Sequence, residues 1–303
     1  IIFSLISSND EKSTFLNISN LLRNKSKYSA TLRKNLMPMI DNETVLQFWR
    51  EEFLKLNKEL DAPINKISKL MISGTTALML SQPNNSFDFK DIMDSGKIFL
   101  VNLSNIDTTL KQALGCFMIS LFHLNALNRS SVPENERNPF HLHIDEAPNF
   151  ITDSVGNIIT ETRKYKVSLN VAHQYKNQFD IKTSDALSTI GSTILFNCNT
   201  NDAKYYSKDL QDKVSINDLI SLKNGEAIAR IGVDIVKINT LPPKKPSKQN
   251  YRSEIIEKSR EKYCKPAQEI KSWLKNQGGK IIPSYEQNIA SPERTSDGKI
   301  KEY

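Results

Sequence analysis

Two adjacent carboxylates, Asp145 and Glu146, follow a short apolar run in Asn-Pro-Phe-His-Leu-His-Ile-Asp-Glu-Ala-Pro-Asn-Phe, residues 138–150. A carboxylate at the tip of a buried parallel strand can hold Mg2+ through water, and a neighbour free of the metal can orient or deprotonate an attacking water. The alternative is an acidic turn that only closes a strand. His141, His143 and Asp145 alternate along the same run and project to one side, an arrangement that can present metal ligands to a hydrolase. The remaining histidines, His123 and His173, sit in no second ligand cluster, so the two imidazoles read instead as buried and hydrogen-bonded.

The elements that must position this pair alternate between strand and helix from Phe87 onward. Lys97 to Leu103 is a short apolar run without polar alternation, as expected for a parallel strand covered on both faces. Residues 112–129 predict a helix that buries Leu114, Phe117, Met118, Leu121, Phe122 and Leu124. A strand over 140–145, a helix near 155–165, a strand over 167–172, a helix over 183–190, a strand over 193–198 and a helix over 201–211 follow. Residues 226–231 and 234–239, separated by Gly232-Val233, predict a hairpin. Alternation of this kind predicts a mostly parallel α/β sheet. Upstream, residues 1–82 read as mostly helical. Phe48, Trp49, Phe53, Leu56 and Leu60 recur at helical steps, and Ile64, Ile67, Leu70, Met71, Leu78 and Leu80 continue the pattern after Pro63. The Phe48-Trp49 pair could stack on bases, but at that spacing among Leu and Ile it reads as core packing.

The chain has 303 residues, 38% of them apolar, enough for one large domain or two. Cys116, Cys198 and Cys264 are odd in number and far apart, so neither a disulfide framework nor a zinc site is indicated and a reducing compartment is expected. There is no run of about 18 apolar residues, so no membrane span is expected within the segment; no signal peptide is recognisable. The chain begins with Ile1-Ile2 rather than Met, and the expectation is a piece of a longer protein. Its +7 charge is unevenly placed: residues 244–303 hold 14 Lys/Arg against 8 Asp/Glu, a net of +6, which leaves +1 for residues 1–243. Leu241-Pro242-Pro243-Lys244-Lys245-Pro246 reads as a boundary, because its prolines deny helix or sheet continuity. The expected organisation is therefore a helical subdomain over 1–85, an α/β core over 86–243 and a basic, partly helical tail over 244–303.

An Asp-Glu pair after an apolar strand is the pattern of a Walker B motif, and the ordered series around it carries a more specific likeness. Phe-Asp-Phe-Lys-Asp-Ile-Met-Asp-Ser-Gly-Lys-Ile-Phe-Leu-Val-Asn-Leu-Ser (87–104), Leu114-Gly115, His-Leu-His-Ile-Asp-Glu-Ala-Pro-Asn-Phe (141–150), Glu-Thr-Arg-Lys-Tyr (161–165) and Val-Ala-His-Gln (171–174) together resemble the HerA/FtsK-type pumping ATPases. Within that group the series is most similar to the coupling proteins of type IV secretion and conjugation, the VirD4/TraG/TraD group, over roughly residues 41–243. The resemblance implies a RecA-like P-loop NTPase core, with residues 1–82 as part of the all-helical insertion of those proteins. It also implies ATP and Mg2+ as cofactors, a homo-hexameric ring, and DNA (or protein) as translocated substrate. The implied location is the cytoplasm, at the inner face of the cell membrane through an N-terminal part outside these residues, where membrane components of the secretion system would be partners.

By the same resemblance, Asp145 matches the magnesium-supporting Walker B Asp and Glu146 the water-activating acid. Gln174 matches the sensor Gln that bonds the γ-phosphate or attacking water. Arg163 matches an arginine finger reaching the neighbouring subunit's site, a role that suits a permanently charged, multiply donating guanidinium. An Arg at a helix C-terminus that complements the macrodipole is the competing reading. One departure is plain. A phosphate-binding loop needs Gly-x-x-x-x-Gly-Lys followed by Ser or Thr, and the Gly-Lys dipeptides at 96, 279 and 298 are each followed by Ile. The family places that loop before the helical insertion, hence upstream of Ile1, so the segment alone is expected to be inactive and the ATPase activity to be the parent protein's. A degenerate RecA-like scaffold or DNA-binding subunit is the alternative.

Overall fold

The structure is a computed structural model that describes residues 13–56, 58–72, 74–104, 106–151, 161–245 and 250–276. The chain divides into two compact units, one drawn from residues 1–86 and 252–303 and the other from residues 87–251.

The first unit is helical in its described residues. Helices α1 (Phe15–Leu22), α2 (Lys27–Leu36), α3 (Glu43–Gln47), α4 (Asp61–Met71) and α5 (Gly74–Leu80) follow in order, with a π-helical segment (Phe48–Glu52) and two 3-10 segments (Phe53–Lys55 and Lys58–Leu60) between α3 and α4. Ser26 and Asn42 cap α2 and α3 by accepting from the Ser29 and Val45 amides, which satisfies donors that a helix start leaves open. Trp49 and Phe53, with ring centroids 4.7 Å apart, sit in a core with Leu21, Leu22, Leu36 and Leu60. The Phe48-Trp49 segment is thus packing rather than a base-stacking platform. Arg33 is buried among these groups, donating to the Leu21 carbonyl at 2.7 Å and lying over the Phe53 ring. Helix α12 (Ala267–Asn276) belongs to the same unit and buries Ile270 against it, whereas α11 (Arg252–Tyr263) buries none of its residues.

In the second unit, Asp88 caps α6 (Phe89–Asp94) and Asp107 caps α7 (Thr108–Asn128). Strands β1 (Phe140–Ile144) and β2 (Val167–Val171) pair in parallel, Phe140 opposite Val167 and Ile144 opposite Val171. Helix α8 (Ile181–Ser188), β3 (Ser192–Leu195), α9 (Thr200–Asp209) and α10 (Ile216–Ile220) lead to the hairpin β4 (Glu226–Ile231) and β5 (Asp234–Asn239), which forms as expected about Gly232 at φ +62°. Parallel pairing is confined to β1-β2 among the described residues; β3 pairs antiparallel with β4, so a second sheet runs β3-β4-β5. A two-residue connection makes β4 and β5 antiparallel, and β3 adds to the other edge of β4, also antiparallel. The outer edges of β2 and β3 have no ladder partner among the described residues.

Helix α7 forms the layer on one face of β1-β2. Ile119 joins a core with Ile144, Ala147 and Phe150, while Phe122 and Ala126 join one with Phe89, Ile92, Met93 and Val167. Its buried line is therefore Leu110, Gly115, Ile119, Phe122 and Ala126, and the expected core residues Phe117 and Leu124 are 39% and 55% exposed. Apolar residues wrap most of this helix, so periodicity could not single out the packed stripe. By length and composition it would also pass as a membrane span; here it contributes to two buried clusters. The Lys97–Leu103 run makes no strand ladder: Phe99 and Leu103 pack inward, while Ile98 and Leu100 are 88% and 81% exposed. A layer covers one side of this run only, not both. Residues 152–160, which hold most of the helix expected near 155–165, lie outside the described residues.

Candidate functional site

Asp145 and Glu146 leave β1 at its carboxyl end, and Gln174 follows the carboxyl end of β2. The Ala172 amide donates to the Ile144 carbonyl and the Ala147 amide to the Ala172 carbonyl, each at 2.9 Å, which ties the two strand ends together. All three side chains are exposed there. The rim outside the carboxyl ends of parallel strands is where open α/β sheets bind ligands.

Glu146 adopts left-handed backbone angles, φ 50° and ψ 43°. This costs a residue with a Cβ roughly 1–2 kcal/mol and persists only where surrounding contacts fix it. Those contacts are visible. Asp145 Oδ1 accepts from the Glu146 amide at 2.9 Å, and Glu146 Oε2 accepts from Asn149 Nδ2 and from Lys111 Nζ, both at 3.2 Å. Behind the turn, Phe150 lies so close to α7 that a Cβ on Gly115 would fall 2.2 Å from its Cδ1. Cys116 Sγ donates to the Phe150 carbonyl at 3.2 Å. The absence of a side chain at Gly115 thus lets the acidic turn seat on α7.

Gln174 begins a loop held at several points. Gln178 Oε1 accepts from the Gln174 and Tyr175 amides at 3.3 and 3.2 Å. The buried carboxylate of Asp202 accepts from the Lys176 amide at 3.2 Å and from Asn199 Nδ2 at 3.0 Å. His173, edge-on to Phe179, has its imidazole pushed below the usual histidine range by burial. The side-chain amide of Gln174 makes no hydrogen bond among the described residues, which leaves it available to a ligand.

Arg163 lies at the other end of the sheet. It opens a single 3-10 turn, Arg163–Tyr165, that enters β2, so the five residues of the strand separate it from Gln174. At about 3.3 Å per residue that is more than roughly 13 Å. The turn is clamped by two other arginines. Buried Arg129 donates to the Asn138 and Tyr165 carbonyls at 3.0 and 3.1 Å and pairs with Asp94 at 2.9 Å; Arg137 donates to the Lys164 carbonyl at 2.5 Å. The Arg163 guanidinium is exposed and has no partner among the described residues. Glu161, two residues before it, is helical, so Arg163 also stands where it can complement a helix C-terminus.

The donor set suits a hard cation held through water: Asp145 is an oxygen ligand whose second carboxylate oxygen accepts nothing among the described residues. A metallohydrolase centre is not assembled, since no three His, Cys, Asp or Glu groups converge among the described residues. The two strand histidines are exposed rather than buried as expected, and His141 Nδ1 is engaged by Ser168 Oγ at 2.6 Å. They face the side of β1-β2 opposite α7, because Phe140, Leu142 and Ile144 take the packed side. Sequence reasoning missed Lys111, Asn149 and the Gly115–Phe150 contact. A signal for Lys111 did exist: a cation in the first turn of a helix opposes the macrodipole unless an anion lies nearby.

No protein-family model matches the chain, and no curated protein matches it. Solved structures do. The plasmid coupling protein TrwB in complex with ADP and Mg2+ matches at a TM-score of 0.53 and 15% identity, over 82% of this chain and 69% of TrwB. The unbound monoclinic form of the bacterial conjugative coupling protein TrwBdeltaN70 matches at 0.51 and 14% over the same shares. VirB4 of Thermoanaerobacter pseudethanolicus is matched at 0.44 and 16%, over 76% of this chain and 68% of VirB4, too loosely to bear on the fold. With the carboxylates and Gln174 at the carboxyl ends of adjacent parallel strands, the chain shares the fold of the conjugative coupling protein TrwB.

Proposed function

We propose that the chain is part of an ATP-driven motor that moves DNA (or protein) in a conjugation or type IV secretion system and hydrolyses ATP at the subunit interfaces of a homo-hexameric ring. The observation that carries this reading is the common rim of Asp145, Glu146 and Gln174, in a fold shared with TrwB, a protein whose structures contain ADP and Mg2+. Asp145 would hold, through water, Mg2+ that would supply positive charge against the phosphates. Glu146 takes the proton of the attacking water, and Gln174 holds that water or the terminal phosphate through its free amide. The phosphate cradle that these 303 residues lack belongs, in this reading, to a segment outside them, which also brings the motor to the cytoplasmic face of the membrane and its secretion partners.

The test is made in the full-length protein that carries this chain. Glu146→Gln should keep nucleotide binding while turnover falls about 100-fold or more, the scale of lost general-base assistance. Asp145→Ala should instead weaken Mg2+-dependent binding. Near-normal hydrolysis by Glu146→Gln would overturn the assignment. A second reading, a RecA-like scaffold or DNA-binding subunit without ATPase activity, is favoured by the missing Gly-x-x-x-x-Gly-Lys-Ser/Thr string alone. Failure of the full-length protein to bind ATP by calorimetric titration would select it.

A further inference from the structure

We infer that Lys111 is a positioning residue for Glu146: it grips Oε2 so that Oε1 is the oxygen presented to the attacking water. The inference rests on the reading of Glu146 as the water-activating acid. Lys111 Nζ lies 3.2 Å from Glu146 Oε2, and Asn149 Nδ2 lies 3.2 Å from the same oxygen, so two donors share one carboxylate oxygen. Oε1 accepts no hydrogen bond among the described residues. A carboxylate side chain in water has free rotation about its terminal bond; two donors on one oxygen remove that freedom and fix which lone pairs face outward.

The grip is itself built. Lys111 sits one turn into α7, where its amide donates to the Asp107 carbonyl at 2.8 Å, and its ammonium lies 5.9 Å from the centroid of the Phe150 ring. Its side chain is only 26% exposed, against 54% for Glu146. Phe150 is in turn seated at Gly115, one helical turn further along α7, so the cation and the acidic turn are registered on the same helix. A cation in the first turn of a helix is unfavourable on its own, and the Glu146 carboxylate supplies the compensating anion. A base whose position is set by a rigid helix spares the reorganisation that a free carboxylate would undergo before each turnover.

The experiment has one arm without catalysis and one with it. In the nucleotide-free protein, acetylation of Lys111 by acetic anhydride, followed by mass spectrometry, should be several-fold slower than in Glu146→Gln. Equal labelling in the two would show that the pair does not form and would overturn the inference. In the full-length enzyme, Lys111→Met should lower kcat about 10- to 100-fold, the range that a misplacement near 1 Å produces, with KM for ATP unchanged. Lys111→Arg, which keeps the charge and the donors, should recover most of that loss. Lys111→Met in the Glu146→Gln background should cost nothing further, which a merely structural role would not predict. Full turnover by Lys111→Met where Glu146→Gln is inactive would overturn the positioning role and leave Glu146 as the base. Full turnover by Glu146→Gln itself would remove both.

Discussion

At the scale of single residues, the site depends on one missing side chain as much as on the acids present. Gly115 has ordinary helical angles, so its value is not conformational; it is the space that Phe150 fills, its Cδ1 2.2 Å from where a Cβ would stand. Gly115→Ala should improve local helix propensity slightly and still destabilise the protein by about 1–3 kcal/mol, because overpacking forces the ring and the turn behind it to shift. Urea unfolding of the whole chain measures this. Phe150→Leu in the Gly115→Ala background should return part of the loss, whereas a loss unrelieved by Phe150→Leu would place the strain elsewhere.

At the scale of elements, Arg129 decides how α6, α7 and the entries to β1 and β2 hold together. Its guanidinium meets Asp94 from the end of α6, the Asn138 carbonyl before β1 and the Tyr165 carbonyl before β2. Burial alone would push the Asp94 carboxyl up, but hydrogen bonds from Lys90 and Arg129 outweigh it and hold the group below the usual carboxylate range. A depressed folded value means a contribution fully present above the unfolded pKa, near 4, and lost as pH falls toward the folded one. Arg129→Met leaves a carboxylate without its buried partner and two carbonyls without donors. The expected cost is about 3 kcal/mol at neutral pH, and the acid loss of stability below about pH 4 should be shallower than in the native chain. Denaturant unfolding at a series of pH values reads both; equal stability at neutral pH would mean that water replaces the guanidinium.

At the scale of the whole molecule, the ring proposed above requires Arg163, a strand's length from the acidic rim of its own subunit, to act on a neighbouring subunit. Rings that mix Arg163→Ala with Glu146→Gln subunits should recover some activity wherever an intact Arg faces an intact acid. No recovery in any ratio, with mixed assembly verified, would count against the trans role. The basic tail is a different case. Deleting residues 244–303 outright would strip Ile270 of α12 from the helical unit, so the cleaner perturbation is on α11, which buries nothing. Lys258 is paired with Glu254 at 2.7 Å, and the helix mixes both charge signs. Replacing Lys258, Arg260 and Lys262 with Gln should weaken non-specific DNA binding and reduce the salt slope by about 0.7–0.9 per lost phosphate contact. An unchanged affinity across a salt series would assign α11 to a protein partner instead.

What the sequence by itself determined is local. The Asp145-Glu146 pair, the hairpin about Gly232-Val233, the long apolar helix and the aromatic helical core around Trp49 are each written in consecutive residues, where turn chemistry and hydrophobic period act over a few positions. The tertiary structure decided whatever depends on residues far apart in the chain. Lys111 and Glu146 are 35 positions apart and meet because α7 packs across β1. Phe150 selects Gly115 out of a helix that looks apolar on every side, and the left-handed backbone of Glu146 exists only because that seat and its donors hold it. The exposure of His141 and His143 was hidden for the same reason: alternation fixes which residues share a face of a strand, but only the layer packed against the strand decides which face is wet.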